Sequence, residues 1–313
     1  MFSDTLFLFG LVGFLVSIGW WVYAAINHRV TESLEKKLNF AGTLLAVLVI
    51  WRIFVKAGDL GILLMLGSLV CLAILFLGVI YKNSQLKKTG RGWFIPVFII
   101  FILRTFIYEP YQIPSGSMMP GLQVGDFLLV NKYEYGLKTN RIGSTFIDGR
   151  DPEYGDVVVF VPPEIPAPYV KRLIGKPGDK VTYINKTIYI NDQPIKRELI
   201  GTFNEDETRR FRYPDGTIKE KKETKRVSYF WESYGDNTYK TRVIVGENIK
   251  PPQSWVVPQG HYFVMGDNRD NSSDSRVFKF VPRNHFMGTA DFIWMSWEEW
   301  TSLPYFSRTG QID

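Results

Sequence analysis

Four apolar stretches crowd the first 107 residues of this 313-residue chain: Thr5–Ile26, Phe40–Val55, Gly61–Tyr81 and Trp93–Ile107. No other feature restricts the possible folds as much. A membrane-spanning helix needs about 20 apolar residues, a length that the first and third stretches reach. The second and fourth are shorter and carry Arg52 and Arg104 near their C-terminal ends, where a long side chain can snorkel to the interface. The first stretch has no basic residues ahead of it and is long for the apolar part of a cleavable leader, so it reads as a retained anchor. About four transmembrane helices are expected over residues 1–107, with the second open to being re-entrant.

Charge orients them. Arg29, Lys36 and Lys37 make one loop basic, and Lys82, Lys87, Lys88 and Arg91 another. Residues 56–60 and 1–4 are not basic overall. Basic loops stay in the cytoplasm, so the N-terminus is expected outside, and everything after Ile107 on the outer face of the membrane, the periplasm in a two-membrane bacterium.

From Tyr108 onward the pattern changes. Short runs rich in Val, Ile, Phe and Tyr are bounded by Gly, Pro, Asn and Asp: Asp126–Val130, Asp156–Val161, Lys180–Ile190, His261–Met265 and Thr289–Ser296. Such runs predict strands. An Asn185-Lys186 break predicts a hairpin, and four Gly-Asp pairs (125–126, 155–156, 178–179 and 266–267) predict tight turns. The fold class expected is N-terminal transmembrane α-helices followed by a mostly-β domain of antiparallel sheets over residues 108–313. The charge-dense stretch of residues 195–252 reads as an inserted subdomain or a long surface excursion, with a solvated face favoured over a basic docking site.

The net charge of +6 is accounted for by basic cytoplasmic loops. No compact arginine and aromatic patch suggests nucleic-acid binding. A single cysteine, Cys71, lies inside an apolar run, which excludes an intrachain disulfide, a Cys-based zinc site and a cysteine nucleophile in the later domain.

Three polar segments carry candidate chemistry. Tyr108–Leu122, YEPYQIPSGSMMPGL, sets Ser115 and Ser117 in a turn that Pro114, Gly116 and Pro120 keep from being a helix. A serine nucleophile needs a base. His28 falls on the cytoplasmic side, and His261 and His285 sit in no triad motif. Tyr169–Asp179, YVKRLIGKPGD, offers Lys171 instead. Neighbours on a strand point to opposite faces, so Lys171 can enter an apolar interior while Arg172 meets solvent or a carboxylate. Burial lowers a lysine pKa, which a general base requires. Gly266–Arg276, GDNRDNSSDSR, is acidic but lacks the spacing of an EF-hand and its closing glutamate. It can instead brace a site through Ser272, Asp274 and Arg276. Taken singly, each segment also has an ordinary structural explanation: a turn, a surface lysine, a hydrogen-bonded loop.

Together, and in this order, the segments resemble the sequence boxes of bacterial type I signal peptidases. PSGSMMPGL is similar to the family's PSxSMxPT, YGDVVVF to its RGD-plus-strand box, YVKRLIGKPGD to KRxxGxPGD, and GDNRDNSSDSR to GDNRDNSxDSR. The resemblance implies a cofactor-free, metal-free serine endopeptidase. In it Ser117 is the nucleophile, Lys171 the general base, and the Ser115 hydroxyl with the Ser117 N–H the oxyanion hole. Ser272 orients Lys171, and Asp274 with Arg276 supports the site. The implied partners are preproteins with A-x-A signal peptides, the lipid bilayer and the secretion machinery. Ile113, Met118 and Val170 are candidate walls of the pockets for the small side chains. The sequence departs from the pattern at Gly121, where threonine is usual, and at Tyr154, where arginine is usual. Trp294, Trp297 and Trp300 are candidates for the membrane interface, with core packing an equal explanation for Trp294.

Two rival readings fail on the sequence. Ser84-Gln85-Leu86-Lys87 and Lys88-Thr89-Gly90 imitate penicillin-binding motifs, but they are contiguous and on the cytoplasmic side, as is Ser33-Leu34-Glu35-Lys36. A catalytically silent binding protein conflicts with three intact boxes. The same chemistry directed at one dedicated precursor stays open.

Overall fold

The computed structural model describes residues 4–55, 60–138, 145–165, 167–212, 218–246, 251–298 and 302–312. The chain divides into two compact units, residues 1–106 and 107–313.

The first unit is helical: α1 Thr5–Ile26, α2 Glu32–Val55, α3 Leu60–Ile80 and α4 Ser84–Ile102. Three segments are long and apolar enough to cross a membrane, Thr5–Ile26, Gly61–Ile80 and Ser84–Ile107. Two helices begin well before their apolar stretches. In α2 the Thr31 hydroxyl accepts the Leu34 N–H at 3.3 Å, and Lys36 pairs with Glu32. In α4 the Asn83 side chain accepts the Leu86 N–H at 3.1 Å. Caps set where a helix starts, whereas hydropathy marks only the part that lipid tolerates. Large apolar side chains such as Phe9, Val16, Phe40 and Phe76 point outward, as they do when the solvent is lipid.

Glycines let these helices pack closely. A Cβ at Gly78 would lie 2.6 Å from the Lys87 nitrogen, and one at Gly90 2.5 Å from that of Leu75, so α3 and α4 meet almost backbone to backbone. Arg52 does not simply snorkel: its Nε donates to Asp4 Oδ1 at 3.2 Å. Phe7, Val49 and Leu63 cluster at one end of the unit, and Ala25, Ile74 and Leu86 at the other.

The second unit is built on an antiparallel sheet. Its strand order is Tyr108–Gln112, Asp126–Asn131, Phe286–Ser296, Val157–Phe160, Tyr169–Gly175, His261–Met265, Val281–Pro282. The Val157–Phe160 strand is central and buried throughout. Val157 and Val159 pack on one face with Leu128, Val130 and Ile293. Val158 and Phe160 pack on the other with Leu173, Val264 and Phe286. That explains an unbroken VVVF run where a half-exposed strand would alternate. Each such side chain contributes about 1.5–3 kcal/mol by burial.

The expected hairpin is present. Asn185 and Lys186 both have positive φ, 49° and 63°, between paired Ile184 and Thr187, the geometry of a type I′ turn. Gly125, Gly155 and Gly178 also have positive φ; Gly266 does not, and its role is spatial. The polar stretch is not merely a surface excursion. It forms a three-stranded sheet of Lys196–Arg212, Ile218–Tyr234 and Asn237–Ile244, and it buries Glu232, Thr241 and Arg242.

Candidate active site

Ser117 lies in a single 3-10 turn, Gly116–Met118, that follows the edge strand of the main sheet. The turn is held from both sides. The Ile113 N–H donates to Asp126 O at 2.8 Å, and the Leu122 N–H to Met118 O at 3.0 Å. Asp126, fully buried, accepts from Ser296 Oγ at 2.7 Å and from Arg308 Nε at 3.0 Å, and Arg308 Nη2 reaches Gly121 O at 2.9 Å.

Lys171 is on the strand Tyr169–Gly175, in register with Val158. Only 4% of it is exposed. Its Nζ lies 2.5 Å from Ser117 Oγ and donates to Val170 O at 2.9 Å. Burial pushes the amine down to about 8, against the opposing pull of the Asp274 and Asp267 carboxylates and with a smaller push from Arg276. An amine in that range is substantially neutral in mildly alkaline water, so a hydroxyl and a basic amine share one hydrogen-bond contact. Arg172 points to the opposite face and is equally buried. It grips Asp267 and stacks 4.0 Å over the Tyr239 ring.

The third polar segment closes over both elements. Asn268 donates its N–H to Ser117 O at 3.1 Å and its Nδ2 to Gly116 O at 2.9 Å. A Cβ at Gly266 would lie 2.3 Å from Ser272 Oγ and 2.5 Å from Ser117 O, so only glycine lets the nucleophile turn and the Ser272 loop meet there. Asp274 is fully buried. Burial opposes its charge, but Arg276 at 2.7–2.8 Å and the Gly266 N–H at 3.0 Å hold the carboxyl below its usual range.

Of the expected site residues, Ser115, Ser117, Lys171, Ser272, Asp274 and Arg276 come together around one point. Ser115 Oγ is 3.4 Å from Ser117 Oγ and exposed. Ser272 abuts Gly266 but makes no hydrogen bond to Lys171, whose partners are Ser117 and Val170. Ile113 and Met118 are 4% and 1% exposed and belong to the core, so of the three candidate wall residues only Val170 keeps appreciable surface. His261 and His285 bond to the backbone carbonyls of Gln259 and Val161 and lie outside this cluster. Trp294 packs edge-on against Phe127 at 5.9 Å, and Trp297 Nε1 donates to Ser302 O; Trp300 is outside the described residues. A cavity of about 430 Å³ at Tyr135, Asp148, Asp151 and Arg283 lies apart from this cluster.

The family model for "Signal peptidase, peptidase S26" matches residues 86–297, more than half of the chain. The chain belongs to that family. The signal peptidase I of Pseudomonas aeruginosa is 38% identical over 246 residues, covering 74% of this chain and 81% of the relative. That of Buchnera aphidicola from Schizaphis graminum is 38% identical over 268 residues, covering 76% and 86%. A crystal structure of a signal peptidase I from Enterococcus faecalis aligns at 26% identity over 45% of this chain and 97% of its own, with a TM-score of 0.27, a superposition too loose to bear on the fold. The family match and the curated relatives, with the apolar helices, make the chain a membrane-associated peptidase of the signal peptidase I type.

For this signal peptidase family member the sequence reading missed Asn268, Asp126 and Arg308. Asn268 and Arg308 act on the backbone around the nucleophile from positions remote in sequence, and Asp126, nine residues after Ser117, anchors Arg308. A signal existed for Asn268, an amide directly after the Gly266-Asp267 pair. Nothing marked Arg308. At the two departures, Gly121 has open space: a methyl group there would meet nothing nearer than 3.8 Å. Tyr154 donates to Asp179 at 2.7 Å under the Lys176 ammonium, a replacement that builds its own contacts.

Proposed function

We propose that the chain removes N-terminal signal peptides by acyl transfer, with Ser117 as nucleophile and Lys171 as general base. The observation that carries this is the 2.5 Å contact between a nearly buried lysine amine, lowered to about 8, and the Ser117 hydroxyl. Lys171 takes the Ser117 proton as Oγ attacks the scissile carbonyl, then returns it to the leaving amine. Water, deprotonated by the same amine, hydrolyses the ester. The Ser115 hydroxyl and the Ser117 N–H, which is near the start of its turn and has no acceptor within it, stabilise the developing oxyanion. This is a Ser-Lys variant of triad logic. Asp274, paired with Arg276, fixes the loop that carries Ser272.

The substrate reading is a small-x-small cleavage site such as A-x-A, presented extended against strand edges. Val170 lines the small-residue pocket above the core residues Ile113 and Met118. The enzyme works from the bilayer beside the secretion machinery, with the β-rich unit on the periplasmic face. Four spans are favoured over three. Phe7 and Leu63 share one end of the helical unit, and Asn83 Nδ2 donates to Ala25 O at the other, so α1 and α3 run parallel. The chain must then cross back between them, and only α2 is available to do so.

Cleavage of a purified precursor with an A-x-A signal peptide, in detergent, tests this reading. The full chain should cut after the second small residue, Ser117→Ala and Lys171→Ala should be inactive, and a chelator should have no effect. Cleavage that survives in Lys171→Ala moves the base elsewhere, and an inert wild type removes the peptidase reading in favour of a binding role or one dedicated precursor.

A further inference from the structure

Four consecutive residues of the third polar segment, Asp267 to Asp270, each bind a different part of the fold. Asp267 holds Arg172 on the lysine strand, and Asn268 holds the Gly116 and Ser117 carbonyls. Those two contacts serve the site. The next two leave it for the polar insertion. Arg269 makes a two-point pair with Glu232, at 3.1 and 2.6 Å, with neither side chain more than 2% exposed. Asp270 accepts from the Ile244 N–H and from Lys186 Nζ, both at 2.7 Å. Between them the Arg242 backbone brackets Asn268, its N–H donating to Asp267 O and its carbonyl accepting from the Arg269 N–H, both at 3.0 Å.

The connections run in series: Glu232 to Arg269, Arg269 by one peptide to Asn268, and Asn268 to both carbonyls of the nucleophile turn. Removing water from two charges is costly, and a buried pair is often no more stabilising than apolar residues of equal volume. A fork of two parallel hydrogen bonds does fix direction and distance, which an apolar contact does not. We propose that Glu232, on the inserted hairpin, is a positioning residue that sets the Ser117 turn through Arg269 and Asn268. The insertion is then part of the catalytic apparatus. The kinetic consequence rests on the Ser-Lys reading above; the mechanical one does not.

The test combines turnover with hydrogen exchange on the full-length protein in detergent. Glu232→Gln keeps volume and loses charge, Glu232→Asp keeps charge and loses reach, and Val181→Ala is a truncation in the core formed with Ile188, Ile190 and Val257. Glu232→Gln is expected to lower kcat about 10- to 100-fold, in line with the cost of small misplacements, with KM within about twofold. Exchange should quicken over residues 113–122 and 266–272, and Glu232→Asp should be intermediate. Val181→Ala, matched for loss of thermal stability, should keep kcat and the exchange of residues 113–122. If Glu232→Gln fails to fold, Glu232→Asp decides by the same readouts. Unchanged exchange over residues 113–122 in a folded Glu232 variant overturns the proposal, as does a kcat loss no larger than that of Val181→Ala. If the wild type cleaves no precursor, the peptidase reading fails while the exchange data still decide whether Glu232 sets the turn.

Discussion

Arg172 grips Asp267 with two parallel hydrogen bonds, 2.9 Å to Oδ1 and 2.8 Å to Oδ2, on the face of the strand opposite Lys171. Adjacent residues therefore serve two sides of one sheet: an amine toward the serine, and a guanidinium that ties the strand to the closing loop. Asp267→Ala strands a buried guanidinium and should cost about 3–5 kcal/mol, while Arg172→Met with Asp267→Leu should recover most of it. Urea unfolding of the three proteins checks both figures.

Burial of Lys171 also weighs on stability. Its amine is lowered from 10.5 to about 8 by burial, so between these values the unfolded chain binds more protons than the folded one. Stability attributable to this group therefore rises with pH from about 8 to 10.5 and is lowest below 8. Lys171→Met removes the penalty, on the order of 3 kcal/mol near pH 7. Its melting temperature should exceed that of wild type at pH 7, and the gap should narrow as pH climbs through that window.

Asp274 acts in the other direction, its carboxylate raising the Lys171 amine. Asp274→Asn removes the larger of the two carboxylate pulls, leaves only Asp267 to oppose burial and Arg276, and should move the activity limb to lower pH. A pH–rate profile of the variant measures the displacement; movement to higher pH would contradict the account.

Two glycines near the site should behave oppositely. Gly266→Ala sets a methyl against Ser272 Oγ and Ser117 O, so the nucleophile turn must shift, at a cost of roughly 100-fold in kcat. Gly121 has an ordinary negative φ and open space. Gly121→Ala should therefore stabilise by about 0.4–1 kcal/mol through the unfolded chain, with kcat unchanged. Thermal melts and single-turnover rates separate the two.

What the sequence made legible follows from locality. The nucleophile turn, the lysine strand and the closing loop are contiguous, and the Asn185-Lys186 hairpin and three of the four Gly-Asp turns are written in adjacent residues. Gly266 differed because its constraint comes from Ser117, nearly 150 positions away. Asp126 with Arg308, and Glu232 with Arg269, were illegible for the same reason: each pairs a strand residue with a turn far away in sequence, and hydrophobic pattern does not specify which turn meets which strand. The starts of α2 and α4 were missed because polar first turns held by caps look like loops to a hydropathy reading. Ile113 and Met118 read as pocket walls because they flank the serine, yet both are buried in the core, Ile113 beside the edge strand and Met118 at the end of the Gly116–Met118 turn.

The pH dependence of precursor cleavage tests the central claim most directly. With Lys171 as base, log kcat/KM should rise with unit slope to a plateau set by a group near 8, and Lys171→Ala should abolish both limb and activity. A limb that survives in Lys171→Ala and disappears on replacing His261 or His285 would contradict the Ser-Lys assignment.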